Sequence, residues 1–185
     1  TVCEGSELQL LSRANGSAPQ TRQWQFSSDS GKTWQPVPGQ ISDTLRLPNF
    51  SWNQRGYLYR NQFSNVCRSR ATTIPARIDV DTPMVFLNRV NDSLLCEGDS
   101  VAWNIEVNSA TPPMLRWQRS TDNGLSWTDL AGDTFNRMVR RDVKYAEHRN
   151  RFRMLASNFC ETDKASDTAI LYVRPPLAVN AGRDT

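Results

Sequence analysis

The chain has 185 residues, of which 38% are hydrophobic and 22% charged, an ordinary globular balance that allows one or two domains. Its net charge of +3 comes from 22 basic and 19 acidic residues, which disfavours nucleic acid as a partner. The single histidine, His148, leaves no imidazole pair for acid–base catalysis or metal binding, so we expect no catalytic residue, metal site or cofactor. No apolar run approaches the ~18–20 residues that cross a bilayer, which excludes a membrane-inserted helix.

The first part of the chain is predicted to form short strands separated by turns. Leu8, Leu10 and Ser12 occupy alternate positions, as on one face of a half-buried strand. A second strand opens at Trp24, and Ser28-Asp29-Ser30-Gly31 has the composition of a turn. We expect Trp34 to lie on the return strand of that hairpin.

Three further strands are predicted before the middle of the chain. They cover residues 44–47, 57–63 and 76–80, and Tyr59 lies on the apolar face of the second. Trp52 falls in the turn that precedes this strand. Short strands with frequent turns favour a β-sandwich.

The second half of the chain repeats the first with a constant offset of 93 positions and no gap. The matched positions include both rare residue types: Cys3-Glu4-Gly5 with Cys96-Glu97-Gly98, Trp24 with Trp117, Trp34 with Trp127, Arg60 with Arg153, and Cys67 with Cys160. The chain is therefore two copies of one unit, with residues 1–82 as repeat 1 and 83–175 as repeat 2. Residues 176–185 resemble the lead-in strand of a third unit, and repeat 1 lacks that strand, so we expect the natural protein to continue at both ends.

The predicted fold is all-β, with two tandem immunoglobulin-like Greek-key sandwiches. Trp24 and Trp117 are expected in the two cores, together with Tyr59 and its counterpart Phe152. A core tryptophan on the third strand and a tyrosine near the start of the sixth are typical of that fold.

The motif Trp-Gln-x-Ser-x-Asp-x-Gly-x-x-Trp occurs at 24–34 and again at 117–127. With Cys-Glu-Gly upstream and Ser-Asn-x-Cys downstream, it resembles the immunoglobulin-like repeats of Bacteroidota surface proteins. That resemblance implies a large secreted or surface-attached adhesin or gliding-motility protein, often exported by type IX secretion. It implies an extracellular location and neighbouring repeats of the same polypeptide as partners.

The four cysteines form two equivalent pairs, which suggests an oxidising compartment. Bridges within the repeats would join Cys3 to Cys67 and Cys96 to Cys160, each across 64 positions. The predicted strands place the members of each such pair ~30–50 Å apart, near opposite ends of a sandwich. A disulfide needs Cα atoms within ~7 Å.

We therefore favour an inter-repeat bridge between Cys3, expected in the turn before its strand, and Cys160 in the last hairpin of repeat 2. Cys67 and Cys96 would then pair with repeats that flank this pair. Bridges within the repeats and free thiols remain as alternatives.

Three tryptophans, Trp34, Trp127 and Trp52, are expected to pack locally, with ligand stacking as the minority interpretation. The resemblance also implies O-glycans at Asp-Ser/Thr-apolar sequences, and the matching acceptors are Thr44, Ser93, Ser100 and Thr168.

The predicted function is non-catalytic: spacer or stalk repeats that project another part of an adhesin-like protein. The alternatives are a glycan- or protein-binding module, and accessory repeats beside a catalytic domain elsewhere in the protein.

Overall fold

The computed structural model describes residues 1–15, 20–66 and 70–177. The chain divides into two compact units, Thr1–Pro83 and Met84–Thr185. Most of the lead-in strand expected at 176–185 lies outside the described residues.

The described residues of unit 1 form nine short strands and a 3-10 turn at Trp52–Gln54. The strands are β1 (Val2–Cys3), β2 (Leu8–Leu11), β3 (Gln20–Ser27), β4 (Gln35–Pro36), β5 (Thr44–Leu47), β6 (Leu58–Asn65), β7 (Arg70–Thr72), β8 (Ala76–Arg77) and β9 (Val80–Asp81).

The strands of unit 1 form two faces of a sandwich. One face has the order β4-β3-β6-β7, with β8 also paired to β6. The other face contains the antiparallel pair β2-β5, in which Leu8 opposes Leu47. The parallel pair β1-β9 sets Cys3 opposite Asp81.

In unit 2, the part that the structure describes forms ten strands and a 3-10 turn at Tyr145–Glu147. The strands are β10 (Val85–Phe86), β11 (Ser93–Cys96), β12 (Val101–Asn104), β13 (Val107–Asn108), β14 (Met114–Ser120), β15 (Thr128–Asp129), β16 (Arg137–Arg140), β17 (Arg151–Ser157), β18 (Lys164–Ala165) and β19 (Ala169–Arg174).

Unit 2 repeats this arrangement with more continuous strands. Its larger sheet has the order β11-β19-β17-β14-β15, and β11 runs parallel to β19. The opposite face contains β12-β16 and β10-β13. The fold is therefore two tandem immunoglobulin-like β-sandwiches, as the sequence predicted.

Each unit has its own apolar core. Trp24 and Tyr59 are buried at the centre of the unit 1 cluster, and Trp117 and Phe152 at the centre of the unit 2 cluster. The indole N–H of Trp24 donates to Ser42 O at 3.0 Å, and that of Trp117 to Phe135 O at 3.0 Å, so neither buried donor is unpaired. Burial raises the pKa of Tyr59 to about 12.

The interior positions where an antibody domain has its inter-sheet disulfide are filled differently in the two units. In unit 1, the buried Asn61 donates from Nδ2 to Ser12 Oγ at 2.8 Å. In unit 2, the corresponding residues Met154 and Ile105 are both fully buried in the apolar cluster. Both units thus close their interior without a covalent link at this level.

Three details differ from the sequence-based expectations. Trp34 and Trp127 precede the two-residue return strands β4 and β15 instead of lying on them. Cys3 lies in strand β1 and not in a turn. The strand expected over 76–80 is interrupted at Ile78 and Asp79, because β1 pairs only with Val80 and Asp81, whereas β11 pairs with β19 from Leu171 to Arg174.

Candidate functional site

The oxidation states of the cysteines separate the pairing alternatives. Cys3 and Cys160 are both disulfide-bonded, whereas Cys96 is a free, exposed thiol. A Cys96–Cys160 bridge, which the pairing within repeats requires, is therefore not formed. Cys67 lies outside the described residues.

Cys3 sits at the end of unit 1 from which the chain leaves. It lies opposite Asp81 in the parallel pair β1-β9. Asp81 is two residues before Pro83, the last residue of the unit. The backbone N–H of Glu4 donates to Asp81 O at 2.9 Å, and Ser6 Oγ donates to Cys3 O at 2.6 Å. On the other side of Cys3, the backbone N–H of Val2 donates to Asp79 O at 2.9 Å, so the backbone is held both before and after this residue.

Cys160 lies in the loop between β17 and β18. A side chain of this loop forms a hydrogen bond to Met84, the first residue of unit 2. Asn158 Oδ1 accepts from the backbone N–H groups of Cys160 and Glu161 at 3.0 and 2.9 Å. The Glu161 carboxylate accepts from Met84 N at 2.6 Å, and the Lys164 ammonium donates to Met84 O. The loop that carries Cys160 is thus tied to the point where the chain enters unit 2.

The repeated Ser-x-Asp-x-Gly motif builds the same closed turn in both units. Asp29 accepts from Ser27 Oγ at 2.7 Å, Thr33 N at 2.9 Å and Thr33 Oγ1 at 2.6 Å. Ser27 Oγ in turn accepts from Gly31 N at 2.8 Å, and Gly31 has a φ of 89° that favours glycine. The hydrogen bonds from Thr33, with a smaller contribution from Ser27, lower the pKa of the Asp29 carboxyl.

In unit 2, Asp122 accepts the corresponding bonds from Ser120 and Ser126. The hydrogen bonds from Ser126 lower its pKa in the same way. The carboxylate of this motif is therefore a structural element of the turn in both units.

The tryptophan that follows each turn is covered by an arginine. The Arg60 guanidinium lies 3.9 Å from the ring centre of Trp34, and Arg153 lies 4.1 Å from that of Trp127. Each guanidinium is held by a glutamine on the neighbouring strand, since Arg60 Nε donates to Gln25 at 2.8 Å and Arg153 Nε to Gln118 at 2.9 Å. The indole N–H donors are used as well, since each bonds the glycine carbonyl of its own turn at 3.1 Å.

One face of each ring is thus occupied from within the unit, which favours the packing interpretation over ligand stacking. Trp52 also has an arginine over its ring, with the Arg55 guanidinium 4.8 Å from the ring centre. The sequence analysis missed these arginine–tryptophan pairs. Their signal was present, because Arg60 and Arg153 are among the residues that match at the 93-residue offset.

The predicted O-glycan acceptors differ in accessibility. Ser100 is exposed. The remaining three acceptors are half-buried: Thr44, Ser93 and Thr168. Thr44 opens strand β5 and directly precedes the fully buried Leu45.

In the described part of the chain, no group of three or more His, Cys, Asp or Glu side chains is placed to hold a metal ion. Within the same residues, no helix has the length and apolar character needed to cross a membrane.

Solved structures resemble this chain at the level of fold. An I-band fragment of titin superposes with a TM-score of 0.71 and 13% identity, over 95% of this chain and 62% of that one. The first two domains of DIP-gamma superpose with a TM-score of 0.51 and 13% identity, over 93% and 92% of the two chains. The structure of Dpr11 bound to DIP-gamma superposes with a TM-score of 0.52 and 16% identity, over 93% of this chain and 94% of that one.

No protein-family profile matches the sequence, and no curated protein matches it. The chain spans about three fifths of the length of the titin fragment. At such low identities the similarity establishes the fold alone. The chain is defined by that fold as a tandem pair of immunoglobulin-like β-sandwich domains.

Proposed function

We propose that this chain provides non-catalytic spacer repeats in a secreted or cell-surface adhesin-like protein. Its sequence motifs support a gliding-associated protein exported by type IX secretion, and its partners would then be neighbouring repeats. The observation that carries the proposal is the pair of similar sandwiches in direct succession, each closed around its own core. Modules of that kind add length by repetition.

The joint between the repeats is proposed to be clamped by a Cys3–Cys160 disulfide. Both residues are disulfide-bonded and Cys96 is free. Within this chain, a Cys3–Cys67 bridge would leave Cys160 without a partner, so the two bonded states support Cys3 and Cys160 as partners.

The free thiol of Cys96 supports continuation of the same link along an array. Cys96 lies opposite Arg174 at the end of the parallel pair β11-β19, just as Cys3 lies opposite Asp81 in unit 1. We propose that Cys96 bonds the next repeat at the position that Cys160 occupies here. A bonded array in an oxidising compartment would be a stiff rod exported to the cell surface.

Peptide mapping without reductant tests the joint. A peptide linking Cys3 to Cys160 is expected, and a Cys3–Cys67 peptide would refute the clamp. Small-angle scattering then tests stiffness: Cys3→Ser/Cys160→Ser should give a more flexible particle, while the matched variant Cys96→Ser should scatter like the parent. Equal flexibility of all three proteins would contradict a spacer stiffened by sulfur.

A binding module is the second candidate. It is supported by the Dpr11–DIP-gamma complex, in which the first immunoglobulin domain of Dpr11 is bound to DIP-gamma. Binding to glycans or proteins that is lost in Trp127→Ala, with folding intact, would favour this function. The exposed Ser100 is the best placed of the proposed O-glycan acceptors, and an intact mass equal to the bare sequence would reject modification.

A further inference from the structure

Unit 2 has a surface pocket of about 480 Å³, within the range of small-molecule sites. Its lining is mostly polar or charged. The lining side chains used in the argument are Thr121, Asn123, His148, Arg149, Arg151 and Tyr172.

The pocket is formed where three segments of the larger sheet meet. Arg151 begins strand β17 and lies opposite both Ser120 at the end of β14 and Ile170 in β19. The turn that follows β14 supplies Asn123, and the segment after the 3-10 turn supplies His148 and Arg149. The sandwich itself therefore positions the lining.

The pocket has an excess of positive charge. Among the described residues, neither Arg149 nor Arg151 forms an ion pair, whereas Arg116 and Arg140 pair with carboxylates at 2.9 and 2.6 Å. Arg151 Nη2 donates only to the neutral amide oxygen of Asn123, and its Nε is buried without a partner.

The one carboxylate beside the pocket does not neutralise these arginines. Asp122 is already bonded by Ser120 Oγ at 2.7 Å and Ser126 N at 2.9 Å. The lining thus carries two arginines against one carboxylate, which forms no ion pair with either of them, and this excess of positive charge suits a bound oxyanion.

Two aromatic side chains, His148 and Tyr172, also line the pocket. The His148 ring stacks on Tyr145 with a centroid separation of 5.6 Å and meets Tyr172 edge-on at 6.0 Å. Its Nδ1 lies 3.1 Å from Val173 N and 2.9 Å from Val173 O, and Nε2 has no partner among the described residues. Rings with polar edges offer both a stacking face and hydrogen-bonding groups to a ligand.

The backbone of Arg149 provides an independent indication of function. Its φ is 68°, in the left-handed region, where repeat 1 has Gly56 with a φ of 80°. Both residues make the same backbone bond, from Arg149 N to Leu171 O and from Gly56 N to Ile78 O, each at 2.7 Å. Unit 2 thus keeps a strained arginine where the fold accepts glycine, and retained strain of this kind is typical of functional sites.

The other cationic and aromatic residues of the pocket are also specific to unit 2. At the 93-residue offset, Leu58 corresponds to Arg151 and Asp79 to Tyr172. His148 corresponds to Arg55, so repeat 1 keeps one cation at these positions and has none where Arg149 and Arg151 lie in unit 2.

We propose that the pocket binds an acidic saccharide, with Arg149 and Arg151 on its carboxylate or sulfate group and the His148 and Tyr172 rings beside the sugar. This function goes beyond that of a spacer and does not depend on it. The two roles are compatible, because the pocket lies entirely within unit 2.

The test is a titration of the intact chain with sodium glucuronate, followed by amide NMR shifts and calorimetry. Glucose serves as the neutral control and sodium sulfate as the bare anion. Glucuronate should shift residues 121–123, 148–151 and 172, and glucose should not. Arg149→Gly and Arg151→Leu, which introduce the residues of repeat 1, should each weaken binding at least about tenfold, as expected for loss of a charge-assisted hydrogen bond.

Two controls separate binding from folding. Arg149→Gly should raise the melting temperature while binding falls, because glycine relieves the positive φ. Arg137→Leu, which removes an exposed arginine from β16, should leave binding unchanged. No glucuronate binding, or binding that both pocket variants leave intact, would overturn the site. Sulfate bound as tightly as glucuronate would overturn the saccharide assignment.

Discussion

At the residue scale, the two units fill the same pair of interior positions with different kinds of side chain. Ser12 and Asn61 form a buried polar pair in unit 1, and Asn61 Oδ1 has no partner there. In unit 2, the corresponding residues Ile105 and Met154 are apolar and belong to the core cluster. A buried polar group without a partner costs free energy of folding, so unit 1 has the less favourable solution.

We expect Ser12→Ile/Asn61→Met, which gives unit 1 the residues of unit 2, to range from neutral to about 2 kcal/mol more stable. Asn61→Ala alone should lose about 1–3 kcal/mol, because it also removes the bonds to Ser12 and to Ser42 O. Urea unfolding measures both variants. A double variant more than about 1 kcal/mol less stable than the parent would show that the polar pair is favourable in its context.

At the element scale, the Ser-x-Asp-x-Gly turn fixes the hairpin that carries each tryptophan. Its carboxylate satisfies the donors of the following residues, and its glycine supplies the positive φ that the turn needs. The same bonds occur in both units, so the turn is part of the module itself and not of a site unique to one copy.

The turn also predicts how stability depends on pH. The pKa values of Asp29 and Asp122 are lowered in the folded state by hydrogen bonds from Thr33 and Ser126. Their stabilisation is therefore fully present above the unfolded pKa of about 3.9, and it is lost as the pH falls below that value towards the folded pKa.

Asp29→Asn/Asp122→Asn should be less stable than the parent at pH 7, and its stability should fall less between pH 5 and pH 2.5. Denaturant midpoints across this range measure the difference. Asp43→Asn is the matched control, because the described hydrogen bonds of Asp43 involve only its backbone. Parallel pH profiles for the double variant and the parent would contradict the assignment.

At the scale of the whole molecule, the two apolar cores are separate. Every member of each cluster belongs to a single unit. Removing the largest fully buried side chain of one unit should therefore destabilise that unit and leave the other intact.

Trp117→Ala should destabilise unit 2 by about 3–5 kcal/mol, since it leaves a large cavity and an unpaired Phe135 carbonyl. Hydrogen exchange should show faster opening across β14 and β17 and unchanged protection across β3 and β6. Equal loss of protection in both units would show that they unfold as one cooperative body.

Much of this organisation could be predicted from local patterns. The alternation at 57–63 places Tyr59, Asn61 and Phe63 on one face, and all three are buried. The strand at 44–47 has the predicted bounds. Trp34 was misplaced because the return strand is only two residues long, too short to leave a periodic signal. The pocket was missed because its residues lie on three segments that are distant in sequence.

By itself, the sequence determined the duplication, the all-β class and the turn chemistry. Each of these is encoded in residue types at short, regular spacings, which act through local backbone geometry and side-chain periodicity. Only the tertiary structure decided which surfaces of the two copies differ. Strand pairing brings together residues that are distant in sequence, which places arginines over Trp34 and Trp127 and forms the cationic pocket that includes His148. Short-range spacing in the sequence carries no information on that pairing.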